Sequence, residues 1–302
     1  MPVKNRFAEL LPEITAWRRD FHENPELLYE VHRTAGRVAD LLREFGVDEV
    51  VEGIGQTGVV GVIKGKSDTK GRVIGLRADM DALPIIEQTG VDYASKSKGK
   101  MHACGHDGHT AMLLGAAKYL AETRNFDGTA IVIFQPAEEG GGGGKAMIED
   151  GLVDRWGIQE FYGMHNMPGM PVGKFSIRPG AMMAAADQFD IVVTGKGGHA
   201  AKPHESIDST LIAAQIIVAL QSIVSRNIDP LKNAVVSTCV VETDSTAYNV
   251  IPQVVRLKGT ARSLDDSVRD QLEEGITRIA TNLAAAMGPG PRSIISAAIR
   301  SR

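Results

Sequence analysis

The sequence predicts an α/β protein, with a larger domain built on a mainly parallel sheet and a smaller ferredoxin-like α+β domain inserted after it. Two observations carry this prediction. Strand-like apolar runs alternate with amphipathic helical runs in the first half of the chain, as in a parallel sheet covered by helices. From about residue 185 the order becomes β-α-β-β-α, which is typical of a ferredoxin-like domain. We therefore expect domains at residues 1–183 and 184–286, and an atypical tail at 287–302.

The elements of the larger domain follow from the spacing of apolar residues. Helical periodicity predicts helices over residues 7–22, 34–45 and 110–120, and short apolar runs predict strands over 59–64, 73–77 and 129–134. Asp79 and Asp81 follow the second of these strands, and Glu138 and Glu139 follow the third. Because sites in open α/β sheets collect beyond the carboxyl ends of strands, we expect a site there.

The smaller domain is predicted in the same way. Alternating residues indicate strands over 189–194, 235–241 and 254–260, and apolar periodicity indicates helices over 208–224 and 265–285. Glycine and proline at 288–291 break the second helix. Residues 292–302 form a short basic and apolar end, which we expect to be too short to add a strand.

Composition excludes several classes of function. With 302 residues, 43% of them apolar, and a net charge of −4, nothing indicates binding to nucleic acid or to a membrane surface. Residues 1–17 contain no signal-peptide core, and the longest apolar run, 211–220, is too short to cross a bilayer. Two cysteines make no disulfide framework, so the cytoplasm is the expected location.

The densest chemistry lies in residues 101–109, which contain His102, Cys104, His106, Asp107 and His109 just before a helix. Thiolate and imidazole are good ligands for zinc and other first-row transition metals, so the cluster predicts a metal site. The alternative is a buried cysteine beside histidines that cap the helix. Composition leaves open which of the three histidines binds.

Carboxylates supply a second part of the predicted site. A pair such as Glu138 and Glu139 suits a division of labour in which one binds metal and the other moves protons, although an ordinary acidic loop has the same pattern. Asp79 and Asp81 are either ligands or supporting residues, or turn residues. The five glycines at 140–144 are not a phosphate-binding loop, because Ala146 stands where that motif requires Ser or Thr.

The smaller domain offers three polar candidates. His199 lies in a glycine-led loop, and Asn249 and Arg262 are suited to recognise an anion, Arg262 by its affinity for carboxylates. Ordinary surface solvation explains each of them equally well.

Taken together, these motifs resemble one family. Residues 77–84, 101–109, 135–140, 164–166 and 197–203 occur in the order found in metal-dependent amidohydrolases. That family includes hippurate hydrolase, N-acyl-amino-acid amidohydrolase and the plant auxin-conjugate hydrolases, within the wider aminoacylase and carboxypeptidase-G group. The resemblance covers residues 7–285 and implies hydrolysis of an N-acyl amino acid to a carboxylic acid and an amino acid.

The resemblance also implies roles for individual residues. The metal ligands would be Cys104, His106, Glu139 and His165, for a pair of zinc, manganese, cobalt or nickel ions. Glu138 would be the general base and Asp81 would support the site, whereas Asp79 stands where wider relatives have a ligand histidine and its role stays open. The smaller domain would be a lid that forms a homodimer. There, His199 would reach the partner's substrate and stabilise the oxyanion, and Asn249 and Arg262 would hold the substrate carboxylate.

One departure from the family separates the hypotheses. Its members supply a final ligand histidine near the C-terminus, whereas all eight histidines here lie at or before His204. We therefore expect a truncated or frame-shifted product with impaired activity and an uncovered apolar sheet surface. The alternatives are a dipeptidase or carboxypeptidase, which the thiol of Cys104 in place of a bridging carboxylate argues against, and a non-catalytic remnant that binds metal and dimerises.

Overall fold

A computed structural model describes residues 5–288 and the backbone of residues 294–301. The chain forms two compact units, Met1–Val172 and Gly173–Arg302. The sequence placed the boundary after residue 183, and residues 173–184 contain neither helix nor strand. The predicted tail at 287–302 falls partly on residues 289–293 and 302, which lie outside the described residues.

The first unit is a five-stranded sheet with helices on both faces. Its helices are α1 (Asn5–Glu23), α2 (His32–Glu44), α3 (His106–Thr123), α4 (Gly143–Glu149) and α5 (Leu152–Trp156). Its strands are β1 (Glu49–Ile54), β2 (Gly58–Lys64), β3 (Val73–Asp79), β4 (Thr129–Gln135) and β5 (Glu160–Gly163), in the order β1-β2-β4-β3-β5. The predicted helices and strands are therefore present, with small differences at their ends.

The sheet is mixed, so the prediction of a mainly parallel sheet was wrong in this respect. Strand β3 runs parallel to β4 and β5, but β2 is antiparallel to both β1 and β4. The difference comes from β1, which the sequence did not reveal. Glu49, Glu52 and Gly53 interrupt its apolar pattern, and it pairs as the exposed edge of a hairpin.

The buried strands divide their side chains between two cores. In β4, Val132 and Phe134 face the core under α1, α2 and α3, whereas Ile131 and Ile133 face the core under α4 and α5. This alternation is the two-residue period of a strand that is covered on both faces. At the edge strand β5, Phe161 and Tyr162 are 49% and 54% exposed.

The second unit has ferredoxin-like topology. Its elements are β6 (Ala185–Thr194), β7 (Gly198–His199), α6 (Ser209–Ser222), β8 (Ala234–Thr243), β9 (Val250–Ile251), β10 (Val254–Ser263), α7 (Asp266–Met287) and β11 (Ile294–Ser301). The main sheet has the antiparallel order β11-β6-β10-β8, and β7 pairs with β9 in a separate ribbon. This is the β-α-β-β-α-β order of the ferredoxin-like fold.

The end of the chain corrects one expectation. We expected residues 292–302 to be too short to form a strand, but Ile294–Ser301 pairs with β6 along eight residues. These residues thereby add the fourth strand to the sheet. The sequence did not predict this strand because the strand depends on hydrogen bonds to a neighbour, which the periodicity of a short apolar segment does not reveal.

Helix α6 was predicted over residues 208–224, and it contains the longest apolar run of the chain, residues 211–220. With its π-helical continuation it spans Ser209–Asn227, the one helix in the described part of the chain that is long and apolar enough to cross a membrane. Ile212, Ile216 and Leu220 are nevertheless buried in the core of the second unit. A buried core helix can be as long and as apolar as a membrane-spanning helix.

Three parallel strands end at one edge of the first sheet and position the predicted site. Strand β3 ends at Asp79, β4 at Gln135 and β5 at Gly163. Because the three are parallel neighbours, the loops that follow them meet at the same edge, as expected for an open α/β sheet.

Candidate metal centre

The start of helix α3 holds the densest group of candidate ligands. His106 is the first residue of the helix and is fully buried. Gly105 precedes it with a φ of +97°, a left-handed conformation that glycine adopts readily. This turn places Cys104 and His106 on one side of the loop, where residues that follow β4 and β5 approach them.

Five side chains from three loops converge there; we call them the metal cluster: Cys104, His106, Glu138, Glu139 and His165. The Cys104 Sγ lies 3.3 Å from His165 Nε2. The His106 Nε2 lies 3.8 Å from Glu138 Oε2 and 3.9 Å from Glu139 Oε1. Two overlapping groups of this cluster have ligand atoms close enough to share an ion.

Unpartnered atoms indicate that the residues of this cluster fit a cation. Within the described residues, His106 Nε2 and Glu139 Oε1 are buried and have no hydrogen-bond partner. Burial, with the negative charge of Glu139 beside it, raises the pKa of the Cys104 thiol to about 12. Burial likewise raises the pKa of Glu139. A divalent cation would satisfy the unpartnered atoms and favour the thiolate and the carboxylate, with release of protons.

Asp81 joins two parts of the cluster. Its carboxylate is fully buried and accepts the backbone N–H groups of Glu138 at 2.9 Å and Glu139 at 3.1 Å. Its backbone carbonyl accepts the Nδ1–H of His106 at 2.7 Å. This bond fixes the tautomer and leaves the Nε2 lone pair facing the cluster.

A strained turn directs the two glutamates. Ala137 is buried and has a φ of +50°, which is uncommon for a residue with a Cβ. Its N–H donates to the carbonyl of Leu28 at 3.1 Å, and its own carbonyl accepts from Gly143 at 3.1 Å. The start of α4 thus passes so close to this turn that a Cβ at Gly143 would lie 1.7 Å from the carbonyl oxygen of Pro136.

A second possible ligand group, Asp79 with His106 and His109, differs in that most of its atoms are already engaged. Asp79 Oδ1 accepts the Nδ1–H of His109 at 2.7 Å, and Oδ2 accepts from Arg77 at 2.6 Å. Burial alone would raise the pKa of Asp79, but the hydrogen bond from His109 and the charge of Arg77 lower it strongly. The other nitrogen of His109 contacts Asn166.

The three histidines of residues 101–109 are therefore distinguished by their partners. His106 has a free Nε2 in the metal cluster, whereas both nitrogens of His109 are engaged. His102 is buried with no partner for either nitrogen among the described residues, and it belongs to none of the possible ligand groups found there. Burial lowers the pKa of His102 to about 4.

A second polar group lies at the first turn of α3, and the sequence did not predict it. We call it the anchor cluster; it consists of Arg18, His22, Glu87 and Asp107. The Nδ1 of His22 lies 2.8 Å from Asp107 Oδ2, and its Nε2 lies 3.2 Å from Glu87 Oε1. Arg18 donates to the same Asp107 oxygen at 2.8 Å. The one sign of this cluster in the sequence was His22, a histidine on the apolar face of the predicted first helix. Its partner, Asp107, lies far along the chain.

The three candidates of the second unit do not come together within one chain. His199 in β7 pairs with Val250, and the N–H of Ala200 donates to the carbonyl of Asn249 at 3.0 Å. Arg262 lies eight residues beyond Val254 on β10, about 26 Å away at the usual rise of a strand. Its guanidinium donates to Thr260 and to the carbonyl of Ala261.

Known proteins are similar to this chain along most of its length. The profile of peptidase family M20/M25/M40 matches residues 75–287, more than half of the chain. A hippurate hydrolase from Campylobacter jejuni is 50% identical over 279 residues, which cover 92% of this chain and 71% of the relative. An N-acetylcysteine deacetylase from Bacillus subtilis is 45% identical over 272 residues, which cover 90% and 70%.

A solved structure extends the comparison to the fold. A Bacillus subtilis protein described as a dinuclear metal-binding peptidase from the M20 family superposes with a TM-score of 0.77. It is 37% identical, and the match covers 97% of this chain and 74% of that chain. By sequence and by fold, this chain belongs to the M20/M25/M40 peptidase family and is a hydrolase of that family.

Proposed function

We propose that the protein hydrolyses the amide bond of N-acyl amino acids, such as N-benzoyl or N-acetyl derivatives, with a divalent metal. The observation that carries this proposal is the pair of buried, unpartnered atoms, His106 Nε2 and Glu139 Oε1, beside the thiol of Cys104. The relatives named as hippurate hydrolase and N-acetylcysteine deacetylase both act on this class of compound by name.

Four residues would hold the metal: Cys104, His106, Glu139 and His165. Together they supply sulfur, nitrogen and oxygen, a mixed set that suits zinc, manganese, cobalt or nickel. The thiol of Cys104 lies 3.3 Å from the imidazole of His165 and beside the carboxylate of Glu139, so these side chains would hold the metal together. Because a thiol ligand needs reducing conditions, we propose a cytoplasmic location.

Glu138 is suited to move protons because its side chain is 40% exposed, against 19% for Glu139. When bound, the metal lowers the pKa of water and polarises an amide carbonyl. Glu138 takes a proton from the attacking water and delivers it to the leaving amine nitrogen. The acyl group leaves as a carboxylic acid and the amine as an amino acid. Asp81 holds Glu138 and Glu139 in place through their backbone N–H groups.

A homodimer would use the candidates of the second unit. Because Asn249 lies at the opposite end of β10 from Arg262, one chain cannot direct both at one substrate carboxylate. We propose that His199 and Asn249 serve the partner's site, where His199 stabilises the oxyanion, and that Arg262 binds a substrate carboxylate. Exposed apolar residues on the edge strand β8 and on α6 would form the interface; they are Leu211, Val218, Val235 and Val241.

The first experiment compares wild type with E138A on hippurate, acetyl-amino acids and dipeptides, with metal content measured on the same samples. E138A should lose about 10²- to 10⁴-fold in turnover, the usual contribution of a general base, and keep its metal. The control is E149A, an exposed glutamate at the end of α4, which should behave as wild type. Wild-type turnover of dipeptides alone would indicate a peptidase, and no Glu138-dependent turnover would contradict the enzyme.

The second experiment tests the dimer. Equal amounts of E138A and H199A, each inactive alone, are mixed under conditions that exchange subunits. A mixed dimer would contain one site with an intact Glu138 from one chain and an intact His199 from the other, so activity should return. A mixture of E138A with E139A, both altered in the metal cluster, should stay inactive. No recovery in the first mixture, with exchange verified, would contradict the shared site.

A further inference from the structure

His109 lies against both imidazoles that belong to the metal cluster. Its ring centroid is 5.5 Å from that of His106 and 4.6 Å from that of His165. The residue is buried, and its two nitrogens contact Asp79 and Asn166. The Nδ1 of His109 lies 2.7 Å from Asp79 Oδ1, so this nitrogen is engaged as a hydrogen-bond donor and is not free to bind a metal ion.

Asn166 connects this histidine to the neighbouring ligand His165. The backbone nitrogen and Oδ1 of Asn166 lie 3.1 Å and 2.5 Å from His109 Nε2. The backbone carbonyl of Asn166 accepts the Nδ1–H of His165 at 2.7 Å. The second bond turns the Nε2 lone pair of His165 toward Cys104, so the orientation of one ligand depends on where Asn166 is held.

The loop that carries His165 has few other attachments to α3. Among the described residues, the hydrogen bonds between the loop 164–172 and that helix, with the turn before it, run through His109 and Cys104. Gly105 adds a steric fit, because a Cβ there would lie 2.4 Å from Asn166 Oδ1. If Cys104 binds the metal, the contacts of His109 with Asn166 are the hydrogen bonds that still hold the loop 164–172 against α3.

We propose that Asp79, His109 and Asn166 form a positioning chain that sets the place and orientation of His165, and that neither Asp79 nor His109 is a metal ligand. The chain begins at β3, where Arg77 holds Asp79, passes through α3 at His109, and ends on the loop after β5. It thus ties the ligand that comes from the least attached loop to two buried elements. This inference rests on the proposed metal centre.

The experiment measures cobalt binding to the purified full chain by absorption, which reports affinity and ligand geometry without any turnover. N166A removes an exposed side chain, so folding should be unaffected, and H109Q removes the imidazole. We expect H109Q, which removes the imidazole that contacts Asn166, to weaken cobalt binding by about 10- to 100-fold, the usual effect of losing an outer hydrogen-bond partner of a ligand. N166A removes only the side-chain contact with His109 and keeps the backbone N–H of residue 166, so its effect should be smaller. We also expect both to shift the thiolate and ligand-field bands of the bound ion.

The matched control is H22Q, which removes a buried histidine from a His–Asp pair at the first turn of the same helix, outside the metal cluster. H22Q should lower thermal stability and leave the cobalt spectrum and affinity as in wild type. Wild-type spectra and affinities in N166A and H109Q would overturn the positioning chain. A wild-type protein that binds no cobalt would contradict the metal centre itself and this assignment with it.

Discussion

The metal cluster and the anchor cluster include consecutive residues of the first turn of α3, His106 and Asp107, and they differ in how their charges are balanced. In the anchor cluster Asp107 Oδ2 faces both Arg18 and His22, and His22 also faces Glu87, while Asp107 Oδ1 is buried with no hydrogen-bond partner among the described residues. In the metal cluster, two carboxylates and a thiol face imidazoles, with buried atoms left unpartnered. The anchor cluster thus pairs its negative charge with cations of the chain, which stabilises the fold, whereas the unpartnered atoms of the metal cluster belong to converging groups that could hold a cation.

The comparison predicts that the two clusters respond oppositely to substitution. The largest effect should come from C104S, which replaces the thiol that lies between His165 and Glu139. We expect metal affinity to fall by at least about 100-fold, more than the loss of an outer partner costs. The free energy of unfolding in a chelator should hardly change, because the thiol has no favourable ionic partner there. Titration with zinc and denaturant unfolding in EDTA measure the two quantities.

The other cysteine provides the control for this prediction. Cys239 is exposed on the edge strand β8 and is a free thiol like Cys104. C239S should match wild type in both metal affinity and stability. If C104S instead lowered stability in EDTA and retained metal, the two clusters would not differ in the way that their hydrogen bonds indicate.

The second prediction concerns the anchor cluster and is smaller. H22Q should lower the free energy of unfolding by about 1–3 kcal/mol, because it leaves Asp107 and Glu87 buried with weaker partners. The hydrogen bond that His22 donates to Asp107 raises the pKa of His22 above 6.5 in the folded state. Its contribution is therefore complete below pH 6.5 and is lost as the pH rises through the raised pKa.

The carboxylate of Asp107 sets the lower pH limit of the stability that the His22–Asp107 pair contributes. Burial alone would raise the pKa of Asp107, but the bond from His22 and nearby positive charge lower it below 3.8. Its contribution is present above that pH and is lost as the pH falls through the lowered pKa. The stability difference between wild type and H22Q should thus be largest between about pH 4 and 6.5. Denaturant unfolding in EDTA at pH 5 and pH 9 measures it, and an equal difference at both would contradict the ion pair.

The two clusters also differ in how far the sequence could predict them. Cys104, His106, Glu138 and Glu139 lie in short motifs beside strand ends, and local spacing is enough to find them. The pair of His22 and Asp107 joins residues 85 positions apart, which no local pattern records. Asn166 was visible beside His165, but its contact with His109 depends on the packing of β5 against β3.

The same limit explains the errors in the fold. Buried strands such as β2 and β4 are apolar on both faces and were predicted close to their observed bounds. Edge strands β1 and β11 were missed because their pairing depends on a neighbour and not on their own composition. Because β1 was missed, its antiparallel hairpin with β2 was missed too, and so was the mixed character of the sheet, in which β2 is antiparallel to both β1 and β4.

The smallest predicted effect concerns the strained turn that directs the glutamates. Ala137 is left-handed, and glycine adopts that conformation without the steric cost of about 1–2 kcal/mol. A137G also gains entropy in the unfolded state, which offsets about 0.5–1 kcal/mol of that relief. The free energy of unfolding should therefore stay the same or rise by up to about 1.5 kcal/mol.

Turnover should respond to A137G differently from stability. A glycine at 137 lets the turn leave the conformation in which Asp81 receives the N–H groups of Glu138 and Glu139, so we expect kcat to fall a few-fold. The control is Q56G, which relieves a φ of +77° in the turn between β1 and β2, away from the metal cluster. Q56G should raise stability by a similar amount and leave kcat unchanged. If A137G kept full kcat, the bonds to Asp81 would suffice to position the glutamates without the rigid turn.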